Sequence, residues 1–183
     1  MNEMLKAIGE IPVNSLDHLG FTDAAIARDT LRIKCRELQL RGWYFNRDTS
    51  YTFVPGTDGR VVLPPNVLAV LPFATEARRI VPRGGLLWNA SDRTDVFPRD
   101  DGPTMEVVWM FDFEKLPEGA RRCIVVRAVT KFQTDQLGSE TSYKFTQDDE
   151  RFAWNALLAE ERRYEGKANM FNDAQDVVEV WQR

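Results

Sequence analysis

The stretch Thr22–Asn46, TDAAIARDTLRIKCRELQLRGWYFN, restricts the fold more than any other part of the chain. Thr22 can cap a helix by accepting from its first free N–H groups, and Asp23 places an anion in the first turn. Arg41 sets a cation at the other end, and Gly42 supplies the left-handed residue that commonly follows a helix. At about 100° per residue the apolar positions form two stripes. Ala24, Ala27, Leu31, Cys35 and Leu38 share one face, and Ile26, Ile33 and Leu40 share nearly the opposite one. A helix packed on one side needs a single stripe. Two stripes need two covers. The chain's own domain is the preferred source of the second, because buried central helices are common; a neighbouring subunit is the alternative. Trp43, Tyr44 and Phe45 follow as an apolar plug that wedges against whatever comes next.

A chain of 183 residues is read as one domain with an excursion or a tail, and it is long enough to bury a core. Its 43% apolar content and 11 Phe argue against global disorder. The net charge of −4 gives no basic field to recruit nucleic acid. Cys35 and Cys123 lie in apolar helical patterns and read as reduced core thiols. The opening MNEMLKAIGEIPV is too short and polar for a signal peptide, and no run approaches a membrane span. The expectation is a soluble protein made in a reducing compartment.

Taken in order, Met1–Ile11 is a short helix stopped by Pro12, and 13–21 is a loop. After the long helix, Ser50–Val54 alternates as a strand. The turn Pro55-Gly56-Thr57-Asp58-Gly59 predicts a hairpin returning through Arg60–Leu63. Asn66–Phe73 is apolar and is expected to run under the sheet. Ala77–Val81 and Leu86–Trp88 flank Pro82-Arg83-Gly84-Gly85 as a second hairpin. Residues 89–103 form a loop with Val96 and Phe97, and Met105–Phe111 is a strand half-buried on both faces. Leu116-Pro117-Glu118 opens a buried helix; its β-branched content also allows a strand, but its unbroken length and proline start favour the helix. Gly138 breaks it and Ser139 or Thr141 caps the next. Phe145–Tyr164 is helical, with Phe152, Ala156 and Ala159 on one side and charged residues elsewhere, and Gly166 closes it. The remainder is a polar arm with apolar residues that need a surface. The expected class is α+β: a helical bundle from both chain ends (1–47 and 113–165), an inserted antiparallel β-rich region (48–112) and a C-terminal arm (166–183).

Chemistry is sparse. The single histidine, His18, sits in a loop and reads as an ordinary surface residue, which disfavours a Ser–His–Asp triad. There is no C-x-x-C spacing and no glycine-rich phosphate motif, so no metal or cofactor is expected. The carboxylates Asp100, Asp101, Asp148 and Glu150 supply the one enzymatic alternative, a polysaccharide hydrolase using a carboxylate pair. Asp100-Asp101 before Gly102-Pro103 reads more simply as a turn, and Asp148-Asp149-Glu150 as a solvated helix face. The five tryptophans read as core before sugar platforms. The pairs Arg78-Arg79, Arg121-Arg122 and Arg162-Arg163 are interleaved with acids and suit a solvated face or a subunit interface better than duplex binding.

The motifs themselves resemble a known family. Leu5-Lys6-Ala7-Ile8-Gly9-Glu10-Ile11-Pro12-Val13 with Leu16, then Asp23-Ala24-Ala25 leading to Arg41-Gly42-Trp43-Tyr44-Phe45-Asn46, then Arg83-Gly84-Gly85, Leu116-Pro117 and Lys131-Phe132 occur in order. They resemble the tail tubular protein A family of short-tailed bacteriophages, also called gatekeepers or head-to-tail adaptors. The resemblance runs from about Leu5 to about Asn172, and the arm beyond departs from it. It implies a virion tail protein without catalytic residues, assembled in the host cytoplasm. It implies a dodecameric ring between the portal protein and the nozzle formed by tail tubular protein B, near the tail fibres, with DNA passing through the lumen and no membrane contact.

A ring subunit needs two different side faces, because head-to-tail contacts are heterologous. Ile26, Ile33 and Leu40 of the second stripe, and Phe171, Val178 and Trp181 of the arm, are therefore the candidate partner-binding residues. An acidic protein also suits a DNA conduit, since a lumen that gripped phosphates would slow ejection. A soluble module that binds another protein without forming rings is the remaining alternative.

Overall fold

The computed structural model describes residues 22–73, 76, 78–137 and 140–164. The expected first helix, the loop holding His18, and the arm with Phe171, Val178 and Trp181 lie outside the described residues. The protein is α+β, and it divides into two compact units, Met1–Leu38 with Phe113–Arg183 and Gln39–Asp112.

In the second unit, β1 (Arg47–Thr52), β2 (Val67–Pro72) and β5 (Thr104–Trp109) form an antiparallel sheet in the order β1-β5-β2. The central strand is the one whose sequence is apolar on both faces, with Met105, Val107 and Val108 all buried. β2 carries Pro72, which an edge strand tolerates because one row of its N–H groups faces away from the ladder. β3 (Ile80–Arg83) and β4 (Leu86–Asn89) pair separately, with Arg83 opposite Leu86. Their two-residue Gly84-Gly85 turn has φ of 60° and 81°, the left-handed values such a hairpin demands. One core serves both sheets: Phe53, Val61, Val70, Ile80, Leu87, Phe97, Met105 and Val107 bury together.

Two expectations fail in this unit. Ser50–Val54 and Arg60–Leu63 do not form a hairpin. The first strand lies earlier, at Arg47–Thr52, and pairs with β5, so that Thr52 faces Thr104 and the Phe53 N–H donates to the Pro103 carbonyl at 3.0 Å. The intervening turn closes on itself, the Gly56 N–H reaching the Arg60 carbonyl at 2.8 Å. It sends 60–63 to β4 instead, where the Leu87 N–H donates to Val61 O at 3.0 Å and the Leu63 N–H to Gly85 O at 2.8 Å. Burial of Phe53 and Val61 in one core outweighs the local turn signal. Asn66–Phe73 is likewise not beneath the sheet; it is the sheet's own edge, with Val70 opposite Val107.

The helical unit contains α1 (Thr22–Gln39), a 3₁₀ turn at Phe113–Lys115, α2 (Glu118–Leu137) and α3 (Glu140–Tyr164). α1 ends where predicted, with the Gly42 N–H on the Gln39 carbonyl at 3.0 Å. α2 is a helix, not a strand: its first turn closes from the Arg121 N–H to Pro117 O at 3.0 Å. Its threonines satisfy themselves on the preceding turn, Thr130 Oγ1 donating to Val126 O at 3.0 Å. α1 meets α2 through Ala27 and Leu31 against Ala128, Val129 and Phe132. Cys35 and Cys123 are buried free thiols, and desolvation, opposed by Arg127, pushes the Cys123 thiol up, away from reactivity.

α3 begins earlier than expected, at Glu140, so Thr141 lies within it; Ser139, the other expected cap, lies outside the described residues. Its buried side is formed by Ala153 and Leu157, whereas the side of Phe152, Ala156 and Ala159 is exposed. The Arg127 guanidinium of α2 lies 4.2 Å from the ring centre of the half-buried Trp154.

Candidate assembly surface

Apolar side chains left outside the fold give the helical unit its character. On α1, Ile26 is 38% and Ile33 is 56% exposed. The first stripe packs as expected, Ala24, Ala27, Cys35 and Leu38 being buried. Ile26 and Ile33 of the second stripe are not buried by the described residues, where the preferred reading expected the chain's own domain to cover them. Leu40, in the turn after α1, is 51% exposed. On α3, Phe152 is 79% exposed beside the exposed Ala156 and Ala159. A hollow of about 540 Å³ lies over Ala156, Ala159, Glu160, Arg163 and Tyr164. Large apolar groups grouped on one helix face mark surfaces that meet other proteins.

The charged groove of the same unit is of a different kind. It holds about 310 Å³ and is lined by Lys34, Glu37, Arg127, Thr130, Lys131, Thr134 and Glu150. Its charges are paired internally: Lys34 with Glu37 at 2.6 Å, Arg127 with Glu150 at 3.1 Å, and Lys131 with Asp135 at 2.6 Å. Glu150, one of the four carboxylates considered for hydrolysis, is thus held by a guanidinium. Asp148 is an exposed residue of α3. In the other unit Asp101 takes Arg78 Nη1 at 2.9 Å, and its N–H closes a turn on the Pro98 carbonyl at 3.1 Å. Asp100 is exposed in that turn. Arg78 also grips Glu76, whose side chain is 7% exposed, at 2.7 Å. The guanidinium's hydrogen bonds hold the Glu76 carboxyl below the usual glutamate range, against the opposing effect of burial. This is a structural ion pair, not an acid–base pair. Among the described residues, no three His, Cys, Asp or Glu side chains gather to hold a metal ion.

The Arg-Gly-Trp-Tyr-Phe-Asn stretch has a structural role. Gly42 has φ of +73°, and a Cβ there would sit 2.9 Å from the Val108 methyl. Trp43 is fully buried. Asn46 is buried and uses both ends of its amide. Oδ1 accepts from the Trp43 N–H at 2.8 Å, and Nδ2 donates to the carbonyls of Gln39 at 2.9 Å and Trp109 at 2.7 Å. Gln39 repeats the device on the chain beyond β5, donating to Phe111 O at 3.0 Å and accepting from the Phe111 N–H at 2.8 Å. The sequence reading passed over both amides. The available signal was a polar residue on an otherwise apolar helix face followed seven residues later by Asn.

An α+β fold in which Glu150 and Asp101 are held in ion pairs, and whose helices present apolar stripes to the outside, fits an assembly protein. The comparison with known proteins gives the family. A sequence profile described as tail tubular protein matches residues 1–167, and the chain belongs to that family. It is similar to Tail tubular protein A of Klebsiella phage KP34, at 28% identity over 153 residues, spanning 83% of this chain and 80% of the relative. The chain is a structural component of a phage tail. No helix among the described residues is long and apolar enough to cross a membrane.

Proposed function

We propose that this protein is the ring-forming adaptor that joins the portal to the tail nozzle and forms part of the path for DNA ejection. The observation that carries the reading is the exposed apolar surface on two helices of one unit, in a chain that belongs to a tail protein family. Repeated head-to-tail pairing of one subunit type uses two non-identical faces and closes when the rotation per contact divides a full turn. The net charge of −4 supports the conduit role, because it supplies no overall attraction to slow phosphates in transit. The helical unit makes the ring, and the arm 166–183, through Phe171, Val178 and Trp181, clasps the portal or a neighbouring subunit. Tail tubular protein B and tail fibres are the partners on the far side.

Cryo-EM of the purified full chain mixed with the portal protein tests this. A closed ring of this chain on the portal is the expected image. Portal rings that stay bare at micromolar protein defeat the proposal. Removing Lys167–Arg183 tests the arm: the truncated chain is expected to fold and to fail in portal binding, whereas normal binding refutes the clasp.

A further inference from the structure

The two exposed stripes of the helical unit match one another. On α1, Ile26 and Ile33 are spaced seven residues apart, about two helical turns. On α3, Phe152 and Ala159 have the same spacing, with Ala156 between them. One stripe is built of two bulky β-branched side chains. The other has one large ring followed by two small residues and the hollow above them. Knobs on the first therefore have room on the second.

Charge selects the direction. The α3 stripe runs from the exposed Asp148 and Asp149 at its start to the exposed Arg162 and Arg163 at its end. On α1 the exposed Arg36 lies one turn beyond Ile33. With the helices antiparallel, Ile33 falls opposite Phe152 and Ile26 opposite Ala159, and the same register brings Arg36 to Asp148 and Asp149. The like-charged neighbour this creates, Glu37, is already neutralised by Lys34 at 2.6 Å. With the helices parallel, Ile33 would lie opposite Ala159 and Arg36 would approach Arg162 and Arg163.

From this match we infer that the occupant of the α1 stripe is the α3 stripe of a second copy, packed antiparallel, with Arg36 against the Asp148–Asp149 pair at its edge. The inference rests on the ring reading above and identifies the two faces that make the contact. Because the faces differ, each copy offers one to each neighbour, and the contact propagates head to tail.

Sedimentation of the full chain, alone and with portal protein, is the test. At a concentration where wild type assembles, Ile33→Glu and Phe152→Glu each lower the assembled fraction by at least about tenfold while circular dichroism stays unchanged. Arg36→Asp and Asp148→Arg each weaken assembly. The double variant R36D/D148R regains it, and so does an equimolar mixture of the two single variants, since alternating copies then place opposite charges at every contact. If wild type assembles and the glutamate variants assemble equally well, or the charge exchange restores nothing, the face assignment is wrong and the ring reading stands. If wild type remains monomeric with and without portal protein, the ring reading fails and this inference with it.

Discussion

The β-rich unit and the helical unit hold their shapes by different means, although both expose apolar side chains, Val54 at 81% and Val62 at 71% in the first and Ile33 and Phe152 in the second. In the first, one apolar core joins both sheets, and the buried amides of Gln39 and Asn46 find partners within the same unit. In the second, the inner faces of α1, α2 and α3 are packed, but Ile33 and Phe152 remain more than half exposed. Buried polar groups must be paired to be tolerated, so a unit that holds several of them is fixed in shape. Exposed apolar groups carry no such requirement and are free to serve an interface. The difference lies in the buried amides of the β-rich unit and in the helical spacing of the exposed residues of the other, on which the proposed contact surface rests.

Four substitutions probe that contrast. Trp43→Ala removes the largest fully buried side chain and is expected to cost about 4 kcal/mol, read as a lowered denaturant midpoint. Retention of wild-type stability would mean the β-rich unit repacks easily. Asn46→Leu removes the acceptor of the Trp43 N–H and one donor to each of the Gln39 and Trp109 carbonyls, and is expected to cost about 3 kcal/mol. Glu76→Gln breaks the ion pair with Arg78 and should cost roughly 1–2 kcal/mol at neutral pH. Because the folded carboxyl titrates below its ordinary value near 4.5, its stabilisation is complete above that value and fades as pH falls through the lower folded value. The gap between wild type and Glu76→Gln in urea midpoint should therefore shrink below about pH 4.5, and a gap that widens there would contradict the assignment. Phe152→Ser, on the exposed stripe, should change monomer stability by less than about 0.5 kcal/mol while abolishing self-association. A large loss of stability would place Phe152 in the core after all.

Local signals were readable and long-range ones were not. The stop of α1 at Gly42, the Gly84-Gly85 turn and the proline entry to α2 all act within a few residues, and each appears as the sequence implied. The hairpin expected from Ser50 to Leu63 fails because β1 and the segment 60–63 each pair with chain far along the sequence. No turn propensity reports such pairing. That α3 packs through Ala153 and Leu157 was not legible, because Phe152, Ala156 and Ala159 form a competing set at helical spacing. The second stripe of α1 was plain as a pattern of Ile26 and Ile33. Its exposure was not, since a stripe does not state what covers it.

Gln39 and Phe111 are joined by two hydrogen bonds, so the β-rich unit enters and leaves through the same narrow gate. A segment with adjoining ends behaves as a cassette. It can be lifted out and the gap bridged by a short linker, or exchanged for a foreign module of similar footprint. Evolution has the same freedom: what lies between those two ends can be rewritten without redrawing the helices on either side of it in the chain.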